Sequence, residues 1–316
     1  MPLRAFIALG FSLLALCQAF PAAAAGDANI AALQVALRAR GLYDGAIDGV
    51  AGRQTGAAVR SFQRRAGIAV DGVAGPQTRS ALGRRWRRSL GSRALHEGKA
   101  GWDVAALQFL LASHGFPSGP FDGGFGPRTG AAVMRFQRWA RLSPDGVAGP
   151  ATIAALRSPR AGSPIRLAWP IRAPLGDRFG PRGDRFHTGL DFPAPYGAAV
   201  TAAGSGRVVK AGWDGGGWGY LVVVRHGYGV RTMYAHLSAL AVRRGEHVAT
   251  GALIGRVGSS GHSTGPHLHF EVLLRGAAHR FRARAIGRDS RRAGPRLAGR
   301  CARVRRARSG RLAAPR

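Results

Sequence analysis

Residues 29–82 recur as residues 103–156, with matched pairs 74 positions apart. Leu33-Gln34 returns as Leu107-Gln108, Asp48-Gly49 as Asp122-Gly123 and Phe62-Gln63 as Phe136-Gln137. Asp71-Gly72-Val73-Ala74-Gly75-Pro76 returns as Asp145-Gly146-Val147-Ala148-Gly149-Pro150. A segment repeated twice must fold as one unit twice over, so this half of the chain is a duplicated module and not a long solenoid. Within a copy, the apolar spacing of Leu33, Ala36 and Leu37 predicts a helix over Ala31–Arg40, stopped by Gly41. Thr55 reads as the N-cap of a second helix, Gly56–Ala66, and Pro76 as the first turn of a short third one. The Phe-Gln pair of each copy reads as core and cap, not as a contact surface.

From residue 175 the pattern changes. Arg207–Lys210, Tyr220–Arg225, Val230–Tyr234 and Leu268–Leu274 are rich in Val, Leu and Tyr and are bounded by glycine turns such as Gly215-Gly216-Gly217. Many short strands without a long helix predict an antiparallel β-fold. The expected fold class is therefore multidomain: two small all-α three-helix modules followed by an all-β antiparallel domain.

The β half carries a concentrated set of histidines in His187-Thr188-Gly189-Leu190-Asp191, Tyr234-Ala235-His236-Leu237 and His267-Leu268-His269. Side chains alternate along a strand, so His187 and Asp191 are expected on one face, as are His267 and His269. Gly189 between the first pair is expected to leave room for an ion. Two imidazoles and a carboxylate make a three-ligand set for catalytic zinc, with the fourth position open to water. If one histidine of His267 and His269 completes that set, the other and His236 are spare. Spare imidazoles beside a metal suit a general base and an oxyanion donor.

Phe179-Gly180, Phe186 to Asp191, Ala194-Pro195-Tyr196-Gly197, Tyr234-Ala235-His236-Leu237 and Ser263 to Glu271 together resemble the lysostaphin/LytM-type zinc endopeptidases. These cleave peptide cross-bridges of bacterial peptidoglycan. The resemblance covers roughly residues 175 to 275. By position it implies a zinc ion held by His187, Asp191 and His269, with His236 and His267 as catalytic residues outside the ligand set. The short Pro181–Arg185 connection departs from the family, as does Ala198-Ala199-Val200. The paired pattern of Asp-Gly, Thr, Phe-Gln and Asp-Gly-x-x-Gly-Pro resembles the small peptidoglycan-binding helical domain of many wall hydrolases. It implies that the copies deliver an enzyme to the wall and mainly raise wall affinity.

The rest of the chain fills in around these domains. Arg4, the apolar run Ala5–Phe20 and Ala22–Ala25 read as a signal peptide, residues 1–25, too short to span a membrane. After its removal Cys301 is the one cysteine left and no transmembrane segment is expected. The divisions expected are a helical module at 27–83, a basic linker at 84–100, a second module at 101–157, a proline-rich linker at 158–174, the metallopeptidase β-domain at 175–275 and a disordered arginine-rich tail at 276–316. Arg84-Arg85-Trp86-Arg87-Arg88 reads as a solvated connector. The net charge of +32 attracts anionic polymers, so the tail is expected to favour anionic wall or envelope material. No nucleic-acid motif is found, so specific nucleic-acid binding is not expected. The expectation is a secreted or periplasmic, wall-associated zinc endopeptidase acting on peptidoglycan cross-links or stem peptides. The rival is a non-catalytic scaffold that activates a wall amidase, whose kind usually lacks the ligands that this chain retains. His226 reads as a turn residue and His262 as a loop residue within reach of substrate.

Overall fold

A computed structural model describes residues 26–158, 164–279 and 281. The first copy contains helices α1 (Ala28–Arg38), α2 (Arg53–Arg65) and α3 (Pro76–Ala81), and the second α4 (Trp102–Ser113), α5 (Pro127–Trp139) and α6 (Pro150–Arg157). Helix α1 starts earlier than its apolar spacing predicts, because the Asp27 carboxylate accepts from the Asn29 and Ile30 amides. The Thr55 expectation fails: Gly52 is the N-cap of α2, and Thr55 lies buried inside the helix. Its hydroxyl donates to the Val50 carbonyl and accepts from Gln34.

That bond belongs to a finer repeat. Gln34 Nε2 donates to Asp48 Oδ1 at 2.7 Å, and Gln34 Oε1 accepts the Gly49 amide at 2.9 Å. Gln63, Gln108 and Gln137 make the same pair of bonds to Asp71 and Gly72, Asp122 and Gly123, and Asp145 and Gly146. All four glutamines are buried, and each also donates to a threonine hydroxyl. Each module is thus two half-repeats, and each Asp-Gly turn is held by a buried amide with both its ends satisfied. The four turn glycines have φ between 69° and 76°, where a side chain would be strained. The expectation that the Phe-Gln pairs are structural agrees with this geometry.

The two copies share one hydrophobic core. Helices α1 and α4, equivalent by the repeat, pack on each other, and α4 is buried almost all round. The segment between the copies is not a solvated connector: Trp86, Leu90 and Leu95 are buried in this core. The Trp86 ring lies under Arg40 and Arg85, so the arginine run supplies cation–π cover as well as charge.

The β-domain begins with a two-stranded hairpin, β1 (Gly180–Arg182) and β2 (Arg185–His187). The short Pro181–Arg185 connection is this hairpin. Then come β3 (Leu190–Pro193), β4 (Ala199–Thr201), β5 (Gly206–Asp214), β6 (Gly219–Arg225), β7 (Val230–Leu240), β8 (His247–Val248), β9 (Leu253–Val257), β10 (His267–Leu274) and β11 (Ala277–His279). These form a nine-stranded sheet in which β11, β10, β7, β6, β5 and β8 are successive neighbours, with every pairing antiparallel. Strand β3 also pairs β10, and β9 pairs both β4 and β7. Leu268, Phe270, Val272 and Leu274 point into the core, leaving His267, His269 and Glu271 on the opposite face of β10. The domain runs past the expected boundary at 275, since β11 pairs with β10. Part of the proline-rich segment also belongs to it, for Leu167 and Ile171 are buried in its core. Residues 1–25, expected to be a signal peptide, and the tail beyond residue 281 lie outside the described residues. No helix among the described residues is long and apolar enough to cross a membrane.

Candidate metal centre and active-site groove

Strand register brings the first two groups together. Asp191 on β3 is the direct partner of His269 on β10, so both side chains leave the sheet on the same face. His187 does not reach them along a continuous strand. Thr188 and Gly189 interrupt the strand between His187 and Asp191, and the hairpin end returns His187 to the same point. His187 Nε2 lies 3.1 Å from Asp191 Oδ1 and 3.1 Å from His269 Nδ1, and His269 Nδ1 lies 2.8 Å from Asp191 Oδ1. These three form the one group among the described residues with the donor set of a metal site. The room at Gly189 serves a different purpose from the expected one. A Cβ there would sit 2.6 Å from His269 Nε2 and from the Phe270 carbonyl, so the missing side chain makes space for a ligand ring.

The partners of these groups decide whether the site fits a cation. His187 Nδ1 lies 3.0 Å from the Arg178 carbonyl, which can only accept, so Nδ1 carries the proton. His269 Nε2 lies 3.2 Å from the buried carboxylate of Glu271, so in the neutral ring the proton sits there. The atoms left facing one another are two bare ring nitrogens and a carboxylate oxygen. Three acceptors at about 3 Å repel unless a cation or a proton lies between them. Four-coordinate zinc with bonds of about 2.0–2.1 Å spaces its ligand atoms by a little over 3 Å, so the residues fit the ion. Each of the three also has the kind of outer partner that orients metal ligands: the Arg178 carbonyl for His187, Glu271 for His269, and Arg182, whose guanidinium lies 2.8 Å from Asp191 Oδ2. Without an ion a proton takes its place: burial opposes ionisation of Asp191, but the hydrogen bonds that protonated nitrogens of the facing imidazoles then donate outweigh it and hold the carboxyl far below its usual range. Burial likewise disfavours charge on His269, and the Asp191 and Glu271 carboxylates overcome it and raise its pKa.

His236 and His267 stand beside this cluster with ring centroids 4.8 Å apart. His236 Nδ1 lies 2.7 Å from the Ser260 carbonyl and His267 Nδ1 lies 2.8 Å from that of Gly265. Both rings therefore carry their proton on Nδ1 and are left with a bare Nε2. His267 Nε2 is 3.9 Å from Asp191 Oδ1. His236 owes its position to a β-bulge. Tyr234 and Leu237 both enter the core, with one residue more between them than strict alternation allows, and His236 takes φ 61°. Unbroken alternation from Tyr234 would have put His236 in the core. Left-handed backbone at a non-glycine residue costs energy and gathers at functional sites. Burial pushes the His236 pKa down.

The five residues line one open groove of about 590 Å³, shared with Arg182, Trp218 and His262. Trp218, which sequence reasoning missed, stacks its ring 4.9 Å from that of His269. Its place after Gly215-Gly216-Gly217 gave no periodic signal. His262 lines the groove, whereas His226, in the turn between β6 and β7 as expected, does not. It is buried, bonded to the Ser205 carbonyl and the Thr232 hydroxyl, and away from the groove.

A metal-type ligand cluster on an antiparallel sheet, with two further histidines in its groove, defines a metallopeptidase class of site. Residues 185–280 match Peptidase family M23, and residues 26–82 and 101–156 match the peptidoglycan binding domain family. The chain thus contains, at residues 185–280, a domain similar to Peptidase family M23, preceded by two repeats that match the peptidoglycan binding domain family. Over 108 residues it is 46% identical to the DD-carboxypeptidase/endopeptidase Mpg of Neisseria meningitidis serogroup B, covering 34% of this chain and 25% of that protein. It is 43% identical over 89 residues to lysostaphin of Staphylococcus simulans, covering 28% of this chain and 18% of that one. The solved catalytic domain of the antimicrobial peptidase lysostaphin from Staphylococcus simulans is 35% identical, with 34% of this chain and 88% of that chain covered and a TM-score of 0.33. The chain spans about a quarter of the length of the curated relatives it matches.

Proposed function

We propose that this protein is an exported zinc endopeptidase that hydrolyses peptide bonds in the cross-links or stem peptides of peptidoglycan. The observation that carries the reading is the convergence of His187, Asp191 and His269 as three mutually facing acceptors in a groove that also holds His236 and His267. His187, Asp191 and His269 would hold the zinc ion, which when bound supplies Lewis acidity and a water of lowered pKa. Arg182 and Glu271 keep two of the ligands in register. His236 and His267 divide the proton work. With Nδ1 committed to a backbone carbonyl, a neutral ring accepts a proton at Nε2, and only the doubly protonated ring donates from Nε2. One of the pair therefore acts as base, while the other, as imidazolium, donates to the developing oxyanion. The retained ligand set favours an enzyme over an amidase-activating scaffold.

The two helical repeats are proposed to hold the enzyme on peptidoglycan, and the signal-like residues 1–25 support export to the wall. The arginine-rich tail is proposed to add attraction to anionic wall polymers. The test is direct. The purified protein should contain one zinc per chain and release peptides cleaved at an amide bond from defined peptidoglycans, as read by mass spectrometry. It should lose that activity on chelation and regain it with zinc. A chain that releases nothing while binding zinc, or that works unchanged in chelator, overturns the reading.

A further inference from the structure

The helical pair touches the β-domain at the hairpin that carries a metal ligand. Ile47 of the first copy donates its backbone N–H to the Gly183 carbonyl at 2.9 Å, and Phe121 of the second donates to the Asp184 carbonyl at 2.8 Å. Ile47 and Phe121 are equivalent residues, 74 positions apart. Gly183 and Asp184 are the two turn residues between β1 and β2. The same atom of each repeat thus grips adjacent carbonyls of one turn. Both donors are buried, and Phe186, one residue before His187, packs against the shared helical core.

A second seam lies at the far end of β10. Trp139 Nε1 donates to the Leu274 carbonyl at 3.2 Å, and Ala277 is buried in the helical core. The hairpin is not part of the nine-stranded sheet. A lone two-stranded hairpin is marginal in water, so its position depends on what holds it. It supplies both His187 and Arg182, the partner of Asp191.

We propose that the wall-binding pair is a positioning element of the metal centre: Ile47 and Phe121 fix the β1–β2 turn and, through it, His187 and Arg182. The inference rests on His187 being a zinc ligand. It goes beyond targeting, since it makes the helical repeats part of the assembled site.

Coupling between two sites is reciprocal, so zinc must tighten the grip that places its ligand. The experiment is hydrogen exchange on the full-length chain with and without zinc, following the amides of Ile47 and Phe121. Both should exchange at least several-fold more slowly with zinc, and the difference should vanish in His187→Ala. Exchange rates unaffected by zinc in a chain that binds it overturn the inference and leave the metal centre standing. A chain that takes up no zinc overturns the metal centre and the inference with it. A second measurement uses Ile47→Pro and Phe121→Pro, each lacking one donor. With helical circular dichroism retained, zinc affinity should fall about 10–100-fold, the range for loss of an outer-shell partner, and the visible spectrum of the cobalt-substituted protein should change. Unchanged affinity and spectrum in folded variants count against it. If a variant fails to fold, the exchange experiment on the unaltered chain decides.

Discussion

The helical pair and the β-domain both bury polar side chains, to opposite ends. In the helical pair each buried glutamine amide meets an acceptor at its nitrogen and a donor at its oxygen, four times over. Such matched groups contribute stability and have no remaining chemistry. In the β-domain His187, Asp191 and His269 meet with acceptors facing acceptors. That mismatch is resolved only by a cation or a proton, and it lies open to a groove. Whether buried polar groups act as scaffold or as site thus depends on whether donors and acceptors balance.

The largest expected effect breaks the unbalanced cluster. His187→Ala should lose most bound zinc by metal analysis and with it activity on peptidoglycan. Retained zinc with normal turnover would remove His187 from the ligand set. His236→Ala and His267→Ala should keep the metal and lose about 10²–10⁴-fold in turnover, the usual cost of removing a base or an oxyanion donor. A variant with near-normal turnover would mark its histidine as a bystander.

The balanced network should respond in stability instead. Gln108→Ala leaves the Gly123 amide and the Asp122 carboxylate without their buried partner, at a cost of about 1–3 kcal/mol. Denaturant unfolding of Gln108→Ala against the parent chain measures it, and a cost near zero would make the network decorative.

His226 sharpens the contrast from within the β-domain, being buried, fully partnered and away from the groove. Burial pushes its pKa below 6.5. A histidine with a depressed folded-state pKa binds fewer protons folded than unfolded. Its contribution is present in full above about pH 6.5 and is lost as pH falls through the folded-state value. His226→Asn should therefore flatten part of the stability loss seen on acidification below that pH, read from unfolding curves at several pH values. An identical slope would assign the loss elsewhere.

The smallest effect concerns neither domain. Ending the chain at residue 283 should weaken wall binding at low salt and leave it nearly unchanged at high salt, because attraction between exposed charges fades beyond a Debye length of about 8–10 Å. Turnover of a small soluble peptide should not change. Equal salt dependence of the two proteins would show the arginines to be idle.

The repeat, the Asp-Gly turns, the main strands and the presence of His187, Asp191, His236, His267 and His269 in one groove were legible in the sequence, since each is a local pattern or a matched motif, whereas Trp218 in the same groove was not. The half-repeat was not, because the spacing from glutamine to aspartate differs within a module: Gln34 to Asp48 spans a longer loop than Gln63 to Asp71. Trp86 misled for a related reason. Flanking arginines advertise solvent, yet the indole is buried with the guanidinium groups of Arg85 and the distant Arg40 above it.

By itself the sequence determined which residues are candidates for chemistry and which segments repeat. Composition and periodicity are properties of neighbours along the chain. Tertiary structure alone decided where those residues meet. The β3–β10 register sets Asp191 beside His269, and the bulge in β7 turns His236 out of the core. Gly189 is small because a ring from 80 residues later needs its space. The union of both helical copies over one hairpin turn was equally hidden. Each of these is a contact between distant segments, and its energy comes from groups that local pattern cannot pair.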